Sequence, residues 1–264
     1  MLLNGADAAA ISRMVTDART EPPAASWQAL ADLLTGRAPE LDKLAGELRE
    51  TGSDHIAMGG VTAIAAFFDR AASHSPEAGV ALYSLGDPAI LQAATQEIVD
   101  WLLRERLLSK TARVLDFGCG MGRVAAVLAS HCASVVGLDV SAKMIAEAQR
   151  RHADRPELTF AVTDGQTLPP GPFDLVLLVD SMPYVLQAGL ADGVVALAAA
   201  ALSPAGALVA LNLSYGRSRS QDVLDAERWA AQAGWSLQAS HPFKLWDGAA
   251  FVWRPHTEAA PRPI

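Results

Sequence analysis

The sequence predicts an α/β fold whose sheet, mainly parallel, lies in the second part of the chain. After Thr111, short and nearly continuous apolar runs alternate with helical patterns, as buried parallel strands and their crossover helices do. No strand pattern appears before Arg113, and the preceding residues show amphipathic helical spacing between proline and glycine breaks. We therefore expect a helical cap or lid at 1–109, a sheet domain at 110–256 and a disordered tail at 257–264.

The individual elements follow from these patterns in chain order. Helices are predicted after Ser26 and Pro39, over Ile56–Phe68, and from Asp87-Pro88 onward. Strands are predicted at Arg113–Phe117, Ser134–Asp139, Leu158–Thr163, Phe173–Asp180 and Ala207–Leu213. The intervening helices are predicted at Gly122–His131, Ala142–His152 and Leu190–Leu202. Asp247-Gly248 favours a two-residue hairpin turn between late strands at Trp235–Trp246 and Ala249–Trp253.

The charge balance bears on the partners of the chain. It has 21 Lys and Arg residues against 29 Asp and Glu residues, a formal net charge of −8. Proteins that bind nucleic acid normally carry the opposite balance, because neutralised phosphates supply most of their affinity. A nucleic-acid partner is therefore disfavoured. The two cysteines and six dispersed histidines match no disulfide framework or zinc motif, so no metal is predicted.

Two further segments bear on the location of the protein. The apolar stretch Val194–Leu213 is interrupted by Pro204 and Gly206, which argues against a membrane span. Residues Met1–Ala10 lack the basic and apolar segments of a signal peptide. We therefore expect a soluble, cytoplasmic protein with no membrane partner, whereas the sequence leaves its oligomeric state open.

A glycine-rich loop follows the first predicted strand. Gly118, Gly120 and Gly122 allow a sharp turn from strand to helix and a close backbone approach to a ligand. The helix that begins there offers free N–H groups. The loop alone does not identify the ligand, because Gly120-x-Gly122-x-x-Ala125 also fits the pattern of nicotinamide-binding proteins.

Three acidic residues at successive strand ends favour a different ligand. Asp116 precedes the glycines, where a dinucleotide would bring a repelled pyrophosphate, whereas S-adenosylmethionine carries an ammonium and a sulfonium. Asp139 ends the second strand and can accept hydrogen bonds from ribose hydroxyls. Asp164 follows the third strand and can accept from an adenine amine, while Gly165 leaves room for the base. The carboxyl ends of parallel strands share one sheet edge, so we expect these acids to form one site.

These motifs resemble the class I S-adenosylmethionine-dependent methyltransferase family from about Thr111 to Arg254. The first motif of the family is similar to Val114–Gly122, and Phe173–Val176 resembles the start of its fourth strand. The segment Leu202–Leu208 resembles its turn into strand five, with Ala205 in place of one glycine. The resemblance implies a Rossmann-like α/β sheet of seven strands with a reversed terminal hairpin.

The resemblance also implies S-adenosyl-L-methionine as the cofactor and a set of residues that bind it. Asp116 and the glycines would face the methionine moiety, and Met144 and Gln166 would line the adenine pocket. The segment beginning at Tyr83 resembles the upstream region that folds over the cofactor in such enzymes. The complete predicted cofactor set is Tyr83, Asp116, Phe117, Gly118, Gly120, Asp139, Val140, Met144, Asp164, Gly165, Gln166 and Asp180.

The segment after the fourth predicted strand bears on the methyl acceptor. Ser181-Met182-Pro183-Tyr184 lacks the acid or amide and the first proline of the tetrad found in enzymes that methylate base amines. We therefore expect a small-molecule acceptor, with Tyr184, Tyr215 and Arg217 as candidate contacts. The catalytic residue and the methylated atom stay open. The alternatives are a nicotinamide-dependent oxidoreductase and a regulatory protein that binds S-adenosylmethionine without turnover.

Overall fold

The structure is a computed structural model that describes residues 60–74, 88–215, 217–243 and 248–256. Several sequence predictions lie outside these residues. They are the helices after Ser26 and Pro39, the contact from Tyr83, the residue Asp247 of the predicted turn, and the tail at 257–264.

A single sheet runs through the described residues, in the order β3-β2-β1-β4-β5-β7-β6. Its strands are β1 Arg113–Phe117, β2 Ser134–Asp139, β3 Leu158–Val162, β4 Phe173–Val179, β5 Leu202–Leu211, β6 Trp235–Ser240 and β7 Ala250–Pro255. Neighbouring strands from β3 to β5 pair in parallel, and β7 pairs antiparallel with both β5 and β6. The predicted seven-stranded Rossmann-like sheet with a reversed terminal hairpin is confirmed.

Helices cover both faces of this sheet. In the described residues they are α1 Gly60–His74, α2 Pro88–Arg104, α3 Arg123–Leu128, α4 Ala142–Arg151, α5 Met182–Gln187, α6 Ala191–Ala201 and α7 Arg219–Ala233. Because successive strand residues point to opposite faces, Val114 joins a core with α2, α3 and α4, whereas Leu115 joins a core with α5, α6 and α7. Burial on both faces explains why the strands are nearly continuous apolar runs.

The predicted bounds of β1 and β2 are confirmed, and other elements differ from the prediction. Strand β5 begins earlier, at Leu202, because Leu202 pairs with Phe173 before an irregularity in the ladder. The described register differs from the one that a two-residue turn at Asp247-Gly248 would give. Ser240 pairs with Ala250, so residues 241–249 form the connection between β6 and β7.

Two helices were not predicted from the sequence. Helix α5 follows β4 and has Pro183 in its first turn, where its missing N–H is tolerated. Helix α7 begins after Ser218, whose hydroxyl accepts from the Gln221 N–H, and ends at Gly234 in the left-handed conformation. The sequence showed the Ser218 cap and the Gly234 stop, but the apolar stripe of α7 consists mainly of alanines and is weak.

Candidate functional site

The carboxyl ends of three adjacent strands place three carboxylates at one sheet edge. Strand β1 lies between β2 and β4, and Asp116, Asp139 and Asp180 stand at or just after the ends of these strands. This is the edge at which ligands bind in open α/β sheets. The predicted convergence of Asp116 and Asp139 is therefore present in the fold.

Asp116 is a buried acid with an unused hydrogen-bonding atom. Its side chain is 1% exposed, and its Oδ2 atom has no hydrogen-bond partner in the structure. Burial raises its pKa to about 7, while the charge of Arg123 and the N–H of Ala125 oppose this shift and Asp139 adds to it. A carboxylate in such surroundings is costly unless a cation or donor pairs with it. The free oxygen is able to accept a hydrogen bond from a ligand or to pair with a cationic group.

The first glycine of the loop lets β1 and the start of α5 come together. Gly118 has a φ of +83°, and a Cβ atom placed on it would lie 2.3 Å from Ser181 Cβ. The Ser181 hydroxyl donates to the Phe117 carbonyl oxygen at 2.7 Å, which fixes this close approach. A side chain at position 118 would therefore push apart the two segments that border Asp116.

We expect Gly118→Ala to destabilise the protein more than Gly189→Ala does. Both glycines have positive φ, so both substitutions carry the cost of about 1–2 kcal/mol for an alanine there. Only position 118 adds a collision, worth roughly a further 1–3 kcal/mol, because nothing lies within 4 Å of a Cβ atom at Gly189. Urea denaturation measures the loss of unfolding free energy in each variant. Equal losses of unfolding free energy would contradict the close packing at Gly118.

Asp139 accepts two backbone hydrogen bonds, one from the glycine loop and one from the N-cap residue of α4. Its Oδ2 atom accepts from the Gly120 N–H and its Oδ1 atom accepts from the Ser141 N–H, each at 2.8 Å. Burial raises the pKa of this carboxyl, and these N–H groups lower it. A carboxylate oxygen can accept more than one hydrogen bond, so both atoms keep acceptor capacity for ligand hydroxyls.

Helix α1 is joined to the same corner through Asp69. The Asp69 Oδ1 atom accepts from the Ser141 hydroxyl at 2.6 Å and from the Lys143 N–H at 3.0 Å. Ser141 also caps α4, because its hydroxyl accepts from the Met144 N–H. The negative charge of Asp69 further raises the pKa of Asp139. The sequence did not indicate this contact, since Asp69 and Ser141 lie in distant segments.

The adenine-side residues predicted from the sequence lie on the loop after β3. Asp164 is exposed and accepts from the Gln166 N–H at 2.8 Å and from the Thr167 hydroxyl at 3.0 Å, which lowers its pKa. Gly165 is buried, and a Cβ atom there would lie 3.6–4.0 Å from Leu190, Val61 of α1 and Val140. Gly165 and Val140 are therefore brought together, whereas the Gln166 side chain is exposed.

Two other predicted cofactor residues have side chains in hydrophobic clusters. Met144 is 1% exposed and clusters with Leu91 and Met121, and Phe117 lies in the core beneath α5 and α6. Core packing therefore accounts for both side chains, and their roles in binding a cofactor stay predictions.

Asp180 and Asn212 form a second polar group at the ends of β4 and β5. The Asn212 amide donates to Asp180 Oδ1 at 2.7 Å, and the Tyr215 hydroxyl also hydrogen-bonds to Asp180. Burial raises the pKa of Asp180, while Asn212, Arg123 and Tyr215 oppose the shift. Asn212 was not predicted from the sequence as a site residue. The sequence feature that distinguishes it is a polar amide within the otherwise apolar run predicted as strand five.

Aromatic side chains lie beside this polar group. The Tyr184 ring is edge-on to Phe68 of α1, with centroids 5.0 Å apart, and to Tyr215, at 5.9 Å. The two predicted acceptor residues Tyr184 and Tyr215 are therefore neighbours. Arg217 is exposed and pairs with Asp225 of α7 at 2.6 Å, so an anionic acceptor would compete with that carboxylate.

The described ranges contain neither a metal-binding cluster nor a membrane-spanning helix. No group of three or more His, Cys, Asp or Glu side chains in them could hold a metal ion. None of the helices α1 to α7 combines the length and the apolar character needed to cross a membrane.

The parallel sheet, the glycine loop and the acidic carboxyl edge define a Rossmann-like α/β domain. Residues 114–206 match the family model described as a methyltransferase domain. This part of the chain is therefore similar to a methyltransferase domain, in agreement with its motifs.

Individual relatives agree with this assignment. Demethylmenaquinone methyltransferase of Tropheryma whipplei (strain Twist) is 33% identical over 117 residues, 42% of this chain and 47% of that protein. The chain thus spans about half the length of the curated relatives that it matches. The structure of the DhpI-SAH complex covers 80% of this chain and 100% of its own, with a TM-score of 0.57 at 19% identity.

A further solved structure has the same fold. An S-adenosylmethionine-dependent methyltransferase from Clostridium acetobutylicum covers 61% of this chain and 90% of its own, with a TM-score of 0.50 at 12% identity. At such identities these structures establish the fold alone.

Proposed function

We propose that this chain transfers a methyl group from S-adenosylmethionine to a small-molecule acceptor. The observation that carries the proposal is the buried Asp116 carboxyl with its unpartnered Oδ2 atom, beside a loop in which Gly118 and Gly122 have no room for a Cβ atom. A pyrophosphate at this place would meet a negative charge, whereas the amino-acid ammonium of S-adenosylmethionine would neutralise it. This contrast favours a methyltransferase over a nicotinamide-dependent oxidoreductase.

The residues present fit the cofactor at both of its ends. Asp116 and the backbone of the glycine loop would hold the methionine part, and Asp139 would accept from the ribose hydroxyls. Val140 and Gly165, which lie together, would border the adenine, with Asp164 at the exposed side. When bound, S-adenosylmethionine supplies a methyl group on a sulfonium. The protein then contributes mainly proximity and alignment, worth about 7–11 kcal/mol in favourable cases.

Three observations support a small acceptor. The formal net charge of −8 disfavours a polyanion. Tyr184 and Tyr215 lie side by side next to the predicted cofactor edge and beneath Phe68, a combination suited to an enclosed molecule with apolar surface. The relative named demethylmenaquinone methyltransferase acts, by its name, on a small molecule.

The test is formation of S-adenosylhomocysteine by the purified full chain from S-adenosylmethionine and fractionated small-molecule extracts. The expected result is product that depends on one fraction and is lost with Asp139→Ala. Binding of S-adenosylmethionine without turnover in any fraction would favour the non-catalytic alternative. Turnover only with intact tRNA or a folded protein would overturn the small-molecule assignment.

We further propose that helix α1 is part of a lid over the cofactor. It crosses the site from Val61, near Gly165, past Phe68 on Tyr184 to Asp69 on Ser141. Such a lid would exclude water and order the site on binding. The proposal covers only the part of the predicted cap at 1–109 that lies in α1.

Asp69→Ala should loosen α1 without removing any cofactor contact named above. We expect amide hydrogens of α1 to exchange faster in the variant, because the bonds to Ser141 and Lys143 are lost. S-adenosylhomocysteine should slow exchange in α1 of the wild type. Ser73→Ala is the matched control, since it removes the bond from Lys143 Nζ and a bond to the Asp69 carbonyl oxygen within α1, but keeps both bonds of the Asp69 carboxylate. Exchange in α1 that is unaffected by the ligand would contradict the lid.

A further inference from the structure

Two residues with unusual backbone conformations meet at the ends of β4 and β5. Asp180 has a φ of +54° and Asn212 a φ of +63°, in the left-handed region that side chains other than glycine rarely adopt. Asp and Asn reach this region more readily than most side chains, and such conformations persist where the surroundings impose them. Both lie at the carboxyl edge of the sheet, and their side chains are bonded to each other at 2.7 Å.

Asn212 is itself held firmly by the last strand. Its N–H donates to the Ala249 carbonyl oxygen at 2.8 Å, and its Oδ1 atom accepts from the Ala249 N–H at 3.0 Å. These bonds orient the amide so that its NH₂ group points at Asp180. The backbone of Asp180 is tied to the same place, because its N–H donates to the Leu211 carbonyl oxygen at 3.0 Å.

We propose that Asp180 accepts the proton of the methyl acceptor and that Asn212 is the positioning residue that orients its carboxylate. This inference rests on the proposed methyl transfer and adds the class of acceptor, one whose methylated atom carries an ionisable proton. Asp180 follows β4 at the carboxyl edge of the sheet, hydrogen-bonds with Tyr215, and is close enough to Tyr184 for its charge to act on that phenol.

The balance of the step is simple. A lone pair on the acceptor atom forms the new bond to the methyl carbon, and the sulfur keeps the electrons of the broken carbon–sulfur bond. The acceptor's proton passes to a carboxylate oxygen of Asp180, which later releases it to water. The step needs no metal, oxidant or other reactant.

The charges around Asp180 suit this role. Burial raises its pKa, whereas Asn212, Arg123 and Tyr215 oppose this shift because they stabilise the ionised form. Burial raises the pKa of the Tyr184 phenol and the negative charge of Asp180 adds to this shift, so Tyr184 stays protonated. Removal of a donor to Asp180 should therefore raise the pKa of its carboxyl further.

The test uses Asn212→Gly, which keeps the left-handed backbone available and removes the amide. Carboxyl carbon NMR gives the pKa of Asp180 in the ligand-free full chain, with Asp180→Asn identifying the signal. We expect this pKa to rise by about one to two pH units, as loss of a hydrogen bond to a charged group predicts. The acid limb of methyl transfer to the active extract fraction should move upward by the same amount.

Tyr215→Phe is the second variant, because it removes the other donor and leaves Asn212 in place. If Asn212→Gly fails to fold, Tyr215→Phe should by itself raise the pKa of Asp180 and move the acid limb of methyl transfer upward. Lower melting temperature with an unchanged pKa and acid limb would overturn the inference and leave Asn212 a structural residue. Wild-type protein that binds no S-adenosylhomocysteine would instead overturn the proposed function, which separates the two failures.

Discussion

Asp116→Asn is expected to stabilise the ligand-free protein at about pH 8 and to weaken its binding of S-adenosylhomocysteine. The wild-type carboxylate is buried with one oxygen unpartnered, and its pKa is raised from 3.8 to about 7. At about pH 8 the folded state must carry this charge without full solvation. A shift of this size corresponds to a stability cost of up to about 4 kcal/mol, which the neutral amide avoids.

The contribution of Asp116 to the free energy of unfolding depends on pH and becomes less favourable as pH rises. Between about pH 4 and pH 7 the folded protein holds a proton on Asp116 that the unfolded chain has already released, because its folded-state pKa is about 7. The free energy of unfolding therefore falls as pH rises through this window. The advantage of Asp116→Asn should be complete above about pH 7 and should vanish below about pH 4.

Binding should change in the opposite direction. The ligand's ammonium would pair with the Asp116 carboxylate, and its loss should cost about 1.5–3 kcal/mol, or roughly tenfold to 150-fold in affinity. Urea denaturation and calorimetric titration across this pH range measure both effects. Asp154→Asn, which removes an exposed acid, is the control and should change neither. A variant that is less stable than wild type at about pH 8, or that binds equally well, would contradict the role given to Asp116.

Asp139→Ala is expected to reduce affinity for S-adenosylhomocysteine by about tenfold or more. Its two oxygens would accept charge-assisted hydrogen bonds from the ribose hydroxyls, each worth about 1.5–3 kcal/mol. They also accept from Gly120 and Ser141, so the alanine variant should also lose order in the glycine loop. The fold itself should survive, because the residue stands at a strand end.

Asp139→Asn separates these two roles. The amide keeps the size of the side chain and one acceptor oxygen, so it retains part of the loop contact but loses the charge and half of the acceptor capacity. We expect its affinity to fall nearly as far as that of Asp139→Ala, while its melting temperature stays nearer to wild type. Affinity equal to wild type in both variants, with unchanged melting, would overturn the assignment of Asp139.

The sheet was predictable because its strands are buried on both faces. Continuous apolar runs located β1 and β2 to the residue, and the glycines and acids that follow them marked the ligand edge. Edge elements were harder to predict. Strand β6 alternates exposed and partly buried residues, and the connection at 241–249 is longer than the Asp247-Gly248 pair suggested.

The parts of the site that the sequence did not indicate depend on contacts between distant segments. Asp69 lies on a helix that reaches Ser141 across the site, and no local pattern predicts that pairing. The bond from Asn212 to Asp180 depends on the parallel pairing of β4 with β5. Local motifs therefore predicted the groups at single strand ends, whereas the positions of their neighbours required the tertiary fold.

The most direct test of the cofactor assignment is a calorimetric titration of the full chain with S-adenosylhomocysteine and, separately, with NAD⁺. The surroundings of Asp116 predict saturable binding of S-adenosylhomocysteine, release of a proton on binding at about pH 6, and no binding of NAD⁺. The proton is released because the ligand's ammonium favours the ionised carboxyl. Tight binding of NAD⁺ with none of S-adenosylhomocysteine would contradict the assignment.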